Sequence, residues 1–260
     1  MKNKKVKYFV VFVSIVLVTV CGTLIGMTQK NTEMTLTGST NKNVYILGEP
    51  VVVGFEFKNT GRTPRTIVSG GVSVGSLKIL IAREEGEFNR YVSGSWGRKR
   101  GIDVLLAPDQ VYKYDDATIL WNGKPDVSHL NENSAREFLK DKITTEYAFQ
   151  EPGVYFIKGL SYYGENSTPV ESEPVRIEIQ KPTGSDLLVW NQIKGNKEIA
   201  YLLQNGSLDV SDAERKSQLI SLVEGLIEQH PDSVFSNYLK PNLAKYKAAE
   251  ERRNSKNLKP

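Results

Sequence analysis

Val51, Val53, Phe55 and Phe57 alternate with Val52, Gly54, Glu56 and Lys58. That period of two lays an apolar row along one face of an extended strand and leaves the other face mostly solvated. Leu77, Ile79 and Ile81 repeat the pattern before the charged turn Arg83-Glu84-Glu85-Gly86. It recurs through residues 34–180 and predicts further strands at 66–68, 89–92, 104–106, 111–120, 147–149, 154–163 and 175–179. Turn residues punctuate these segments: Asn59-Thr60-Gly61 closes the first, and Pro108-Asp109 and Pro152-Gly153 stand immediately before others. Many short strands without long helices between them bury their apolar rows against one another, which predicts an antiparallel β-sandwich.

One helical interruption is expected within this region. Ser134, with Glu137 three residues later, is a capping-box pattern in which each side chain satisfies a free backbone N–H, and it predicts a short helix over 134–140. After Lys181-Pro182-Thr183-Gly184 the period becomes helical. Residues 185–193 and 197–204 read as short helices, the second stopped by Asn205-Gly206. Ser211-Asp212-Ala213-Glu214 repeats the capping box, and Leu219, Leu222, Val223, Leu226 and Ile227 then form a stripe at helical spacing. His230-Pro231-Asp232 ends that helix, because proline lacks the N–H that continues the ladder. A last helix is expected from about Ser233, kinked or broken near Leu239 because of Pro241 and resuming over 242–253, with a frayed polar tail over 254–260.

The first 27 residues are of another kind. Lys2, Lys4, Lys5 and Lys7 precede a run from Tyr8 to Met27 that contains no charge. About 20 such residues cross a hydrocarbon core, and the basic flank stays on the cytoplasmic side, so the chain beyond Met27 is expected outside the cytoplasm. Three readings of this segment stay open. Its length and its many β-branched residues favour a retained single-pass anchor over a cleavable signal, whose apolar core is shorter and whose cleavage site carries small residues. Val20-Cys21-Gly22 is the one candidate cleavage site. Val18-Thr19-Val20-Cys21 resembles a bacterial lipobox and makes Cys21 a candidate for lipidation, with Val20 standing where that pattern has Gly, Ala or Ser.

The chain holds 34 Lys and Arg against 30 Asp and Glu, a net charge of +4. The four excess cations are the lysines of the N-terminal segment, so residues 28–260 are neutral and give no electrostatic footprint for nucleic acid. Cys21 is the only cysteine. Residues 28–260 therefore use no disulfide within the chain, no thiol nucleophile and no thiolate metal site. A body of that length can be held by apolar burial alone.

Two stretches resemble known families. Tyr45-Ile46-Leu47-Gly48-Glu49-Pro50, with the alternating strand and Asn59-Thr60-Gly61 after it, resembles the opening of bacterial Ig-like sandwich domains. Phe149-Gln150-Glu151-Pro152-Gly153-Val154-Tyr155 resembles the approach to a late strand of those domains, and residues 172–179 resemble their closing strand. The resemblance covers roughly residues 34–180 and implies an Ig-like fold. Some such domains are proteinase inhibitors, including the intracellular proteinase inhibitor of bacilli. No reactive loop can be matched, so no inhibitory residue is carried over. In the tail, Leu226-Ile227-Glu228-Gln229-His230-Pro231-Asp232-Ser233, with Tyr238, Ala244 and Tyr246, resembles the junction between tetratricopeptide repeats. It is one repeat long where an array needs about three, which implies a small helical unit packed on the sandwich.

Catalytic constellations are sparse. His129 and His230 are the only histidines, and no HExxH or comparable cluster accompanies them. No serine sits in a G-x-S-x-G elbow. Gly70-Gly71-Val72-Ser73-Val74-Gly75 lacks the lysine of a phosphate loop and reads as a turn between strands. Asp115-Asp116 and Glu84-Glu85 are adjacent pairs that would point to opposite faces of a strand. The most distinctive surface segment is 91–101, where Arg98, Lys99 and Arg100 follow Trp96 between glycines. Such a loop suits anionic glycans, phosphate-bearing polymers or lipid headgroups, and it equally suits a solvated turn with Trp96 folded back on the sandwich.

The expectation is thus an α+β protein in two units: an antiparallel Ig-like β-sandwich over 28–182 and a small all-α unit over 183–253. An N-terminal transmembrane or signal helix over 1–27 precedes them, with the membrane contacted through residues 8–27. The expected role is non-enzymatic protein or cell-envelope contact outside the cytoplasm, without cofactor, metal or nucleic acid. An exported proteinase inhibitor is the alternative, and a hydrolase fits the residues less well.

Overall fold

The computed structural model describes residues 33–84, 86–93, 101–123, 146–163, 168–208 and 210–257. Its smaller sheet is centred on β3 (Val51–Asn59), which pairs along one edge with β1 (Met34–Thr40) from Met34↔Asn59 to Thr40↔Val53. Two short strands divide the other edge. β8 (Val111–Lys113) pairs with Glu56 to Lys58, and β9 (Ala117–Ile119) pairs with Val51 to Val53. The expected strand over 111–120 is therefore two strands, with Asp115 and Asp116 in the step between them.

The larger sheet is built around β12 (Gly153–Tyr163). β5 (Leu77–Arg83) lies along one side of it and carries β6 (Asn89–Tyr91); β14 (Val175–Gln180) and β13 (Thr168–Glu171) share the other side. β4 (Arg65–Val68) joins the end of β12 through Tyr163↔Ile67 and carries β7 (Asp103–Leu106). β2 (Val44–Ile46) pairs with β14 in parallel, the one departure from an antiparallel pattern among the described ladders. It arises because the chain leaves β1 in one sheet and crosses to the edge of the other within a few residues.

The two sheets share one core. Val51, Val53, Phe55 and Phe57 are 0–1% exposed, and so is Ile157 on the facing β12, with Ile79 and Ile177 beside it. The alternating row thus faces inward along its whole length. Gly159 sets the approach of the sheets, because a Cβ at that position would lie 2.6 Å from the Phe55 ring. Asn59 closes β3 as expected, and the physical reason is its fully buried side chain. Nδ2 donates to the carbonyls of Thr63 and Leu106, and Oδ1 accepts from Gly61 N. Residues 70–75 contain one turn of 3-10 helix, Gly71–Val74, between β4 and β5.

Four helices follow: α1 (Gly184–Ile193), α2 (Lys197–Asn205), α3 (Ala213–Gln229) and α4 (Val234–Asn257). Asn196 caps α2 by accepting from Ile199 N. The cap of α3 is Asp212 rather than the expected Ser211, for Asp212 Oδ1 accepts from Arg215 N at 2.6 Å. Leu219, Val223 and Leu226 of the expected stripe are buried. Of the kink or break expected near Leu239 the break does not occur: α4 runs continuously through Pro241 and on to Asn257, past the fraying expected from Asn254. Packing overrides the lost hydrogen bond: Leu239, Leu243 and Tyr246, on both sides of the proline, are buried in the helical core.

That helical core is not made by helices alone. Leu120 and Tyr147 from the sheet region belong to it, and Ile46, Leu47 and Trp121 pack against it. The described residues from Met34 onward accordingly cluster as one compact unit. Residues 1–32, with Cys21 and the segment expected to be an anchor, lie outside the described residues, as do His129 and the helix expected over 134–140. Among the described residues no helix is long and apolar enough to cross a membrane.

Candidate functional site at the seam of sheets and helices

Trp121 on β10 (Trp121–Asn122) pairs across a two-residue ribbon with Tyr147 on β11 (Glu146–Tyr147). Their rings meet edge to face at 5.0 Å, Tyr147 meets Trp190 of α1 in the same way at 5.0 Å, and Trp190 stacks on Phe235 of α4 at 6.1 Å. This aromatic ladder runs from the sheets into the helices, each contact worth about 0.5–1.5 kcal/mol beyond area burial. Trp190 also lies over Gly48, whose φ of +87° holds the turn between β2 and β3.

Two polar contacts pin the same seam. Glu49 is 2% exposed, and its carboxylate accepts from Lys42 Nζ at 2.6 Å, Ile46 N at 3.1 Å and the Tyr238 hydroxyl of α4 at 2.9 Å. Gln204, at the end of α2, accepts from Trp121 N at 2.6 Å through Oε1. The Tyr-x-x-Gly-Glu-Pro segment therefore does more than open a strand. Gly48 receives an indole and Glu49 receives a phenol, both from the helices.

Two clefts flank Tyr91, one within the sheet region and one at this seam. The first, about 500 Å³, is walled by the Arg83–Glu151 ion pair, Arg90, Asn122, Glu146 and the Tyr155 ring. The second, about 520 Å³, is lined by Asp115, Asp116 and Ser93 on the sheet side and by Gln204 of α2, Ser207 just beyond it and Lys245 of α4. Asp115 and Asp116 line one cleft because they stand in an irregular step, not along a strand where neighbours diverge. Carboxylates on one wall and an ammonium on the other suit a ligand rich in hydroxyl or amine groups. Among the described residues no group of three or more His, Cys, Asp or Glu is placed to hold a metal ion.

Burial raises the hydroxyls of Tyr91 and Tyr147 above the ordinary value of 10.0, and burial next to the Glu49 carboxylate does the same for Tyr238. Above pH 10 an unfolded tyrosine has released its proton while these three retain theirs. The unfolded chain then binds fewer protons, so stability falls as pH rises, by up to about 1.4 kcal/mol per pH unit for each such tyrosine. Denaturant midpoints should stay level between about pH 7 and pH 9 and drop steeply beyond pH 10. The tyrosinate absorbance that Tyr147→Phe removes should appear together with the loss of ellipticity; a removed step that precedes unfolding would place this phenol in water.

Trp96, Arg98, Lys99 and Arg100, singled out from the sequence, lie outside the described residues. Of their described flanks, Ser93 bridges to Asn122 at the seam, and Ile102 N donates to Ser69 Oγ at 2.9 Å beyond the end of β4. Gln204, Lys245 and Tyr91 were not visible as one site in the sequence, since more than a hundred positions separate Tyr91 from the helical residues.

No protein-family model matches the chain, and no curated protein matches it. Among solved structures it is similar to the sporulation control protein Spo0M of Bacillus subtilis, at 11% identity and a TM-score of 0.31, over 62% of this chain and 54% of that one. A β-glucosidase of Listeria innocua in complex with glucose gives 14% identity, 59% and 17% coverage and a TM-score of 0.30. The alkylpurine DNA glycosylase AlkC of Pseudomonas fluorescens bound to DNA gives 13% identity, 61% and 33% coverage and a TM-score of 0.30. The chain thus spans about half or less of these proteins' lengths. At such scores the likenesses carry no argument about fold family or activity.

Proposed function

We propose that this chain is a non-enzymatic binding protein, held outside the cytoplasm by its N-terminal segment, that offers an Ig-like sandwich and a tetratricopeptide-like helical unit as one continuous contact surface. The observation that carries this reading is the seam. Glu49, Gly48 and Trp121 on the sheet side are each occupied by a helical side chain, Tyr238, Trp190 and Gln204 respectively. A linker between independent modules would leave such groups in water. The crossing from β1 to the parallel edge strand β2 supports the Ig-like part, because it lets the first segment contribute to both layers of a two-sheet fold.

The uncharged run over residues 8–27, behind four lysines, supports anchoring with residues 28–260 on the extracytoplasmic side. Intact cells carrying the full chain, treated with a protease that cannot enter, should lose reactivity of the helical tail while the N-terminus stays protected. A tail that survives until the cells are lysed would contradict the topology. A reproducible turnover that disappears on substitution of a cleft residue would contradict the non-enzymatic role.

A further inference from the structure

On the large sheet, residues that alternate with the core row point away from it. Ladder pairing fixes their arrangement. Arg176 on β14 is opposite Phe156 on β12; Lys158 is two residues further along β12; Lys78 on β5 is opposite Leu160, two residues further again. Arg176, Lys158 and Lys78 therefore lie on a diagonal, one strand across and two residues along at each step. With strands about 4.8 Å apart and about 3.4 Å per residue, successive cations are about 8 Å apart at Cα. Arg90 on β6 extends the positive field, since it is opposite Leu80, which is itself opposite Lys158.

From this diagonal we infer a site for an extended polyanion with repeating phosphate or carboxylate groups, of the kind that a glycan or polyol phosphate chain of the cell envelope provides. Three regularly spaced cations match a periodic charge better than a single small anion does. Acids share this face: Glu171 is paired with Lys158, which would exchange it for the polyanion, and Glu178 stands two residues along β14 from Arg176, while Arg176 and Lys78 have no carboxylate ion-pair partner among the described residues. Of the aromatic rings on this surface, Tyr162 has Lys78 Nζ 5.2 Å over it, Phe88 has Lys158 Nζ 4.6 Å over it, and Phe156 is half-buried between strands. Base stacking, on which sequence-tolerant binding of single-stranded nucleic acid depends, is thus not offered. The apolar members Phe156, Leu160 and Leu80 are half-buried between strands rather than projecting as a wedge for lipid. The inference rests on the extracytoplasmic reading only for where such a polymer is met; binding by the chain itself can fail without affecting that reading.

Long-chain inorganic polyphosphate is the probe, titrated against the full-length chain in detergent micelles at several salt concentrations. The expected affinity falls linearly with salt on logarithmic axes. Arg176→Ser should weaken it about fivefold, and Lys78→Ser with Arg176→Ser about 25-fold, at about a fivefold loss per surface cation. Lys194→Ser with Lys240→Ser, the same charge change on the helices, should alter it less than twofold. Unfolding midpoints of all variants should match the parent. Equal weakening by the helical pair, absence of polyphosphate binding, or equal competition by a single-stranded oligonucleotide would each overturn the site. So would capture on anionic lipid vesicles in the absence of polyphosphate binding.

Discussion

Gly48→Ala is expected to destabilise the protein by about 3 kcal/mol and to loosen the helices from the sheets. A Cβ at this position would lie 2.1 Å from Trp190 Cζ3 and 2.4 Å from Cε3, which no rotamer of a buried indole relieves without leaving its pocket. The φ of +87° adds about 1–2 kcal/mol for any residue with a Cβ, and overpacking adds about 1–3 kcal/mol. Denaturant unfolding followed by tryptophan fluorescence checks the total. The cause is separated by repeating the substitution in a Trp190→Ala background. Without the indole, Gly48→Ala should cost only the backbone term of about 1–2 kcal/mol. An equal loss in both backgrounds would mean that Trp190 does not seat on Gly48.

Glu49→Ala is the second large effect, expected at about 3 kcal/mol. Truncation strands the amide of Ile46 and the Tyr238 hydroxyl in a buried setting, and frees Lys42, which is 40% exposed and rehydrates at little cost. Glu49→Gln keeps an acceptor for two of the three donors and should lose about half as much. Tyr238→Phe removes the hydroxyl and so isolates the bond between sheet and helix, at about 1.5 kcal/mol. Equilibrium unfolding of the three variants gives the ranking. A Glu49→Ala loss within about 0.5 kcal/mol of the parent would place this carboxylate in water.

The strands of the core were legible because their period matches their burial. The row from Val51 to Phe57, the Leu77, Ile79 and Ile81 row, and 175–179 all face inward as their alternation requires. The helices were legible through Asn205-Gly206, His230-Pro231 and the Leu219 stripe. Two local rules misled. A serine and an aspartate compete to cap α3, and the aspartate prevails; Pro241 forfeits one bond, and the burial of Leu239 and Leu243 holds α4 together regardless. The seam was not legible, because a turn motif reads the same whether its Gly and Glu face solvent or a neighbouring helix. Nothing in Gly48-Glu49-Pro50 announces Trp190 or Tyr238, more than a hundred residues away. The charge diagonal was hidden for a similar reason. Lys78, Lys158 and Arg176 are isolated cations in sequence, and only the pairing register aligns them, whereas the contiguous Arg98-Lys99-Arg100 run stands out at once.

The central claim is that sheets and helices form one body across the Glu49, Gly48 and Gln204 contacts. Native-state hydrogen exchange on the full chain tests it most directly. Leu202 in α2, Val223 in α3, Phe55 in β3 and Ile157 in β12 are all buried, so their amides should open together, at the free energy of global unfolding. If Leu202 and Val223 exchange through a lower-energy opening while Phe55 and Ile157 remain protected, the helices are a separate module and the account of one surface is wrong.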